Sequence, residues 1–312
     1  MRRNLKNAIL HSALLLSAVC GGFAEDSSTP PDLTLQASVS EVRLMFSTTN
    51  QDSRVIDSIQ PSDFAIVDQD VVVHDFRSFN RADYTRLDVA VLVDASGSIS
   101  SQFRRELENA VQVIAHLDNV PEESFSVISF RDLKPSIVCA GNCRTLMANA
   151  PLPVLQSGGL TPLYDSVVFA SGWIGQAQTG SVPAARVRRI LVLFSDGVDT
   201  ISVNSFNEAV NSALDNDVIL YTIDVSRTRN LQGTRTLRSF SFNTAGRYFS
   251  IDDGAAKVID AILEDCKATY SVAYKLPNSA AGFHEVRILP THNSGLLFHC
   301  RRGYYYPNHQ EN

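Results

Sequence analysis

The stretch Asp88-Val89-Ala90-Val91-Leu92-Val93-Asp94-Ala95-Ser96-Gly97-Ser98 constrains the fold more than any other part of the chain. Its first part is an apolar, β-branched run, the pattern of a strand covered on both faces. It ends in three oxygen-bearing side chains at alternate positions, Asp94, Ser96 and Ser98, and Gly97 allows a sharp turn between the serines. A buried strand that stops in closely spaced oxygen donors is a place for a hard cation.

After Leu87 the apolar period alternates. Strand-like segments at 124–130, 187–194 and 218–225 are interleaved with helical spacing at 102–117, 163–173, 206–214 and 255–263. Ser205 and Glu208 have the spacing of a capping box. This order predicts an α/β domain over 85–265, a doubly wound, mainly parallel sheet with helices on both faces. The flanks read as β. Residues 33–39 alternate, 42–46, 64–67 and 71–79 are further strands, and Asp68-Gln69-Asp70 is a turn. Short strands are expected again at 269–276, 284–289, 296–299 and 303–306. Neither flank has many strands alone, so the N-terminal β segment 33–84 and the C-terminal β segment 266–312 are expected to pack together as a small β-sandwich-like domain.

The chain start reads as an export signal. Arg2, Arg3 and Lys6 precede a mostly apolar run from 8 to 19, and Gly22-Phe23-Ala24 offers small residues for cleavage. The run is too short to span a bilayer, so 1–24 is expected to be a signal peptide, followed by a Ser/Pro-rich linker at 25–32. No second long apolar segment follows, so no transmembrane segment is expected in the mature chain. The expected location is periplasmic, outer-surface-associated or secreted. The formal charge is −6, and the signal removes three basic side chains and no acidic one. That acidity argues against a nucleic-acid partner. Without Cys20, the cysteines are Cys139, Cys143, Cys266 and Cys300. An even number in an exported chain favours disulfides, with Cys139–Cys143 closing a small loop and Cys266–Cys300 joining distant segments. The competing reading is a zinc site, for which the spacing is poor.

Two more loops carry oxygen donors where a strand is expected to end or a helix to begin. In Gly158-Gly159-Leu160-Thr161-Pro162, Pro162 pushes Thr161 out of the α region and suits a helix start. Taken alone, Thr161 is better explained as an ordinary N-cap. In Phe194-Ser195-Asp196-Gly197-Val198-Asp199, Asp196 follows an apolar strand, and an Asp-Gly turn is its plain alternative.

Taken together, Asp94-x-Ser96-x-Ser98, the later Thr161 and the later Asp196 resemble the von Willebrand factor A domain and its metal-ion-dependent adhesion site. The resemblance spans about 85–265. Pro61-Ser62-Asp63-Phe64, Gly282-Phe283-His284-Glu285 and Arg301-Arg302-Gly303-Tyr304 are similar to the VWFA-related acidobacterial domain family. The resemblance implies a bound Mg²⁺, or another divalent cation such as Mn²⁺. By analogy Ser96 and Ser98 ligate it directly, Thr161 directly or through water, and Asp94 and Asp196 hold coordinated waters; Asp199 is a candidate outer partner, with capping of the next segment as its alternative. The function implied is adhesion-type binding of a protein partner that supplies an acidic side chain to the metal. The alternative is a structural or assembly scaffold with a stabilising metal. Catalysis is not expected, because a nucleophilic serine needs a base and no histidine lies in the three loops. Arg186, Arg188 and Arg189 are expected to form a solvated edge.

Overall fold

The structure is a computed structural model, and it describes residues 41–82, 86–96, 111–114, 120–149, 158–176, 187–226 and 230–306. The expected signal peptide at 1–24, the linker at 25–32 and the strand at 33–39 lie outside the described residues.

A six-stranded sheet is built from β5 (Arg86–Asp94), β6 (Phe125–Arg131), β7 (Lys134–Ala140), β8 (Val187–Ser195), β9 (Val218–Asp224) and β10 (Tyr248–Ser250). Its order is β10-β9-β8-β5-β6-β7. β5 is buried along its whole length. Leu87, Val89, Val91 and Val93 face one apolar layer, shared with Val258, Ile259 and Ile262 of the Ala255–Lys267 helix. Ala90 and Leu92 face the other, shared with the Leu163–Gly175 and Phe206–Asp215 helices. Each Val or Leu buried this way contributes about 1.5–3 kcal/mol, which makes the strand a rigid base for the loop at its end. The Ser205/Glu208 capping box forms at the start of the Phe206–Asp215 helix. Of the helix expected at 102–117, residues 111–114 are described and helical.

The remaining strands are β1 (Glu41–Thr49), β2 (Phe64–Asp68), β3 (Val71–Val73), β4 (Phe76–Arg81), β11 (Tyr270–Lys275), β12 (Gly282–Pro290), β13 (Leu297–Cys300) and β14 (Gly303–Tyr306). They form two antiparallel sheets of four strands, β13-β1-β11-β4 and β14-β12-β2-β3. Strands from the two ends of the chain alternate: β1 pairs with β11 and β13, and β2 with β12. Alternate residues Val42, Leu44 and Phe46 of β1 meet Ile66, Val272, Tyr274 and Ile288 in one core. The 71–79 segment is two strands rather than one: β3 lies in one sheet and β4 in the other.

These sheets correct the expectation of a doubly wound, mainly parallel α/β fold. Two of the three sheets are wholly antiparallel, and seven of the eleven strand pairings among the described residues are antiparallel. The six-stranded sheet is itself mixed, because β7 runs back along β6. The cause is local. Asp132 adopts φ 55° and closes a tight hairpin, where a parallel neighbour would need a long crossover.

The cysteines divide. Cys139 and Cys143 form a disulfide. Cys266 and Cys300 are free thiols, which corrects the expected long-range bridge. Cys266 belongs to the core beneath the six-stranded sheet and Cys300 packs against the sandwich core. One of the three arginines expected on a solvated edge departs from that expectation: Arg188 is 3% exposed, and its guanidinium donates to the hydroxyls of Thr269 and Tyr221, while Arg186 lies outside the described residues. Among the described residues no helix is long and apolar enough to cross a membrane.

Candidate functional site

The order of the six-stranded sheet reverses between β5 and β8, which are adjacent and parallel. The chain leaves β5 toward β6 and leaves β8 toward β9. Their carboxyl ends therefore open a crevice between diverging connections, the usual place for ligands on such a sheet. Asp94 ends β5, and Ser195 ends β8 with Asp196 next.

Asp94 is fully buried. Its Oδ1 accepts the Ser96 backbone N–H at 2.9 Å, and its Oδ2 accepts the Ser195 hydroxyl at 2.7 Å. Burial pushes its pKa from 3.8 up to about 6; hydrogen bonds from Ser96 and Ser195 work against that rise, and the neighbouring Asp196 charge adds to it. No ion pair to Asp94 is present among the described residues.

Backbone hydrogen bonds tie the loops to one another. Gly158 N–H donates to the Ala95 carbonyl at 3.1 Å, and Ala95 N–H donates to the Phe130 carbonyl at 2.9 Å. Asp132 N–H donates to the Leu160 carbonyl at 2.8 Å. Thr161 N–H donates to Thr200 Oγ1 at 2.7 Å, and Thr200 N–H returns to the Thr161 carbonyl at 2.9 Å. Gly197 sets the path after Asp196. Its φ is +77°, and a Cβ there would lie 2.2 Å from the Gly233 carbonyl oxygen. The loop can approach the Leu231–Asn243 helix this closely only without a side chain.

Thr161 is buried and lies one residue before Pro162, which caps the Leu163–Gly175 helix without a side-chain bond. The N-cap explanation of Thr161 therefore does not apply. The open amides at that helix start are taken by the loop after β8: Tyr164 N–H donates to Asp199 Oδ1 and Ser202 Oγ, and Asp165 N–H to Ser202 Oγ. Asp199 is thus a helix-capping residue. Asp196 is partly buried, and its Oδ1 accepts the Val198 N–H at 3.0 Å. Asp94, Ser96, Thr161 and Asp196 accordingly stand on three interlocked loops; Ser98 lies outside the described residues. Ser195 was missed by sequence reasoning. Its only signal is its position, the last strand residue before Asp196.

Among the described residues no three His, Cys, Asp or Glu side chains gather as a metal-ligating group. The three loops at this end of the sheet instead carry two carboxylates, Asp94 and Asp196, and the hydroxyl residues Ser96 and Thr161, oxygen donors of the kind hard cations accept.

No family model matches the chain, and no curated protein matches it. Among solved structures it is similar to proximal thread matrix protein 1 from the mussel byssus, at 14% identity and TM-score 0.45. That alignment covers 59% of this chain and 49% of the other, so the chain spans about half the length of that protein. A likeness of this size carries no argument. The expected membership of the von Willebrand factor A and VWFA-related acidobacterial families is corrected by the fold, in which antiparallel pairings predominate and two of the three sheets are wholly antiparallel, and no family model supports it. The motifs behind that expectation are short. Asp, Ser and Gly at strand ends are also what turns and caps select, as Asp94, Asp196 and Asp199 illustrate by accepting local N–H groups.

Proposed function

We propose that this protein binds a divalent cation, Mg²⁺ or Mn²⁺, at the ends of β5 and β8, and through it holds an acidic side chain of a partner protein. The observation that supports this most is the state of Asp94, a fully buried carboxylate with a raised pKa beside a second carboxylate. A hard cation offsets that cost, and the neighbouring oxygens suit one. Asp94, Asp196 and the hydroxyls of Ser96 and Thr161 would hold it. When bound, it would supply a Lewis-acidic position for an anionic oxygen.

The chain's own residues prepare the place. Ser195 and the Ser96 amide orient Asp94, Gly197 brings the Asp196 loop close to the Leu231–Asn243 helix, and the Thr161–Thr200 pair fixes the third loop. Binding is favoured over catalysis because Ser195 and Ser96 bond to a carboxylate rather than to a histidine base. Export is supported by the Cys139–Cys143 disulfide, which belongs in an oxidising compartment.

The test is calorimetric titration of the full chain with Mg²⁺ and Mn²⁺, followed by crosslinking to partners with metal or with chelator. Saturable metal binding that Asp196→Asn and Thr161→Val both weaken, with partner capture lost in chelator, is the expected result. Metal binding with no metal-dependent capture would replace the grip by a purely stabilising role. No saturable binding of either ion would end the proposal.

A further inference from the structure

At the opposite end of the six-stranded sheet, a cavity of about 460 Å³ lies where the sandwich meets the starts of β8 and β9. That volume is in the range of small-molecule sites. Its lining is strongly basic. Arg43 of β1, Arg81 of β4, Arg189 of β8 and Arg301 between β13 and β14 all contribute, against one acidic residue, Asp217. The protein as a whole carries a formal charge of −6, so this concentration of guanidinium groups runs against its average.

The register explains how the cavity is built. Val42, Leu44 and Phe46 of β1 point into the sandwich core, so Arg43 and Met45 point out of it. Met45 is paired with Ser271, Ser271 with Asn80, and Ala273 with both Arg43 and Ser78. The outer face of this sheet therefore offers Ser78, Asn80 and Ser271 as neutral hydrogen-bonding groups beside the arginines.

The internal partners do not balance the charge. Arg301 donates to Asp217 at 3.3 Å and to the Arg43 carbonyl at 3.2 Å. Arg43 stands 3.8 Å from Glu41. Arg81 donates through Nε to the Lys267 carbonyl at 2.9 Å, a neutral acceptor. Arg189 has no ion pair among the described residues, and its Nε is buried without a hydrogen-bond partner. Asp88, its register partner on β5, gives Oδ1 to Arg86 at 2.7 Å, and its Oδ2 makes no hydrogen bond to Arg189. A buried guanidinium N–H left without an acceptor is costly, and a planar fork of donors matches carboxylate and phosphate oxygens.

We propose that this cavity binds a small, multiply charged oxyanion, a polycarboxylate or a phosphate, through Arg81 and Arg189. The inference is independent of the cation site, which uses other residues at the other end of the strands.

The test is calorimetric titration of the full chain with citrate and, separately, with inorganic phosphate, at ionic strength held constant with KCl. A ligand of this size is expected to bind with Kd of about 1 mM or tighter. Arg189→Gln is expected to raise that Kd about tenfold or more. Ser78→Phe fills the cavity without altering a charge and is expected to abolish binding while the far-ultraviolet circular dichroism stays native. Ser78→Phe decides the matter if Arg189→Gln fails to fold. Citrate binding without phosphate binding, or the reverse, supports the site and names its ligand class. Absence of saturable binding of both anions at about 10 mM, or wild-type affinity in every folded variant, overturns the proposal.

Discussion

The Ser195 hydroxyl donates a 2.7 Å hydrogen bond to Oδ2 of Asp94, joining the ends of β8 and β5 across 101 residues of sequence. Both residues are fully buried. The bond gives the carboxylate one orientation and leaves it facing Asp196 rather than a base.

Removing that donor leaves a buried carboxylate oxygen short of a partner. Ser195→Ala is expected to cost about 1.5–3 kcal/mol, read as a lower urea midpoint at unchanged slope. An unchanged midpoint would show that the bond contributes nothing to stability.

Gly197 tests the close approach of the Asp196 loop to Gly233. Gly197→Ala meets both a φ of +77° and a contact of 2.2 Å with a backbone oxygen, so a loss of at least about 2 kcal/mol is expected. Metal affinity should fall with it, because Asp196 precedes the glycine. Thermal unfolding and titration on the same variant check both effects.

The proposed cation should stabilise the fold by mass action. At about one hundred times its Kd, Mg²⁺ should add about 2.7 kcal/mol to the unfolding free energy, and chelator should remove that gain. In Asp196→Asn the difference between metal and chelator should shrink toward zero. An equal metal response in this variant would move the site away from Asp196.

His299 provides a pH dependence. Burial, and secondarily the Arg247 charge, lower its pKa from 6.5 to about 4 in the folded protein. The unfolded chain then binds more protons between those values, so stability rises with pH across that window. Its contribution is complete above about 6.5 and is lost progressively as pH falls toward 4. After allowance for partial exposure, the loss is on the order of 2 kcal/mol. His299→Gln should flatten the unfolding free energy between pH 4 and 6.5 relative to wild type. Parallel curves for the two proteins would refute the assignment.

The Cys139–Cys143 disulfide closes a loop with a sequence separation of 4. For so small a loop, chain entropy predicts that reduction costs about 2 kcal/mol. Cys266 should stay unreactive toward a thiol reagent until the protein unfolds, because its side chain is buried. Rapid labelling of Cys266 under native conditions would contradict its placement in the core.

Some elements were legible because their signals are local. The run from Val89 to Val93 is apolar at every position and proves to be buried on both faces. Ser205 and Glu208 form their capping box, and Gln69 and Asp70 take positive φ in the turn between β2 and β3. Other elements lacked such signals. The Leu231–Asn243 helix is rich in Ser, Thr and Arg and buries few large apolar side chains, chiefly Leu237 and Phe240. β7 begins Lys134-Pro135-Ser136, and proline argues against a strand except at an edge, which is where β7 lies.

The sequence by itself determined where strands end in oxygen-bearing loops, which short turns close, and that Cys139 lies near enough to Cys143 to bond. Tertiary structure alone decided that antiparallel pairing predominates, that 71–79 divides between two sheets, and that Cys266 and Cys300 belong to different cores. It also decided that Arg188 is buried while Arg189 faces a cavity, and that Ser195 is the partner of Asp94. The physical reason is range. A turn or a cap is set by neighbours a few residues away, whereas strand partnering and the environment of a charge depend on segments a hundred or more residues apart, and no local pattern records which of them will meet.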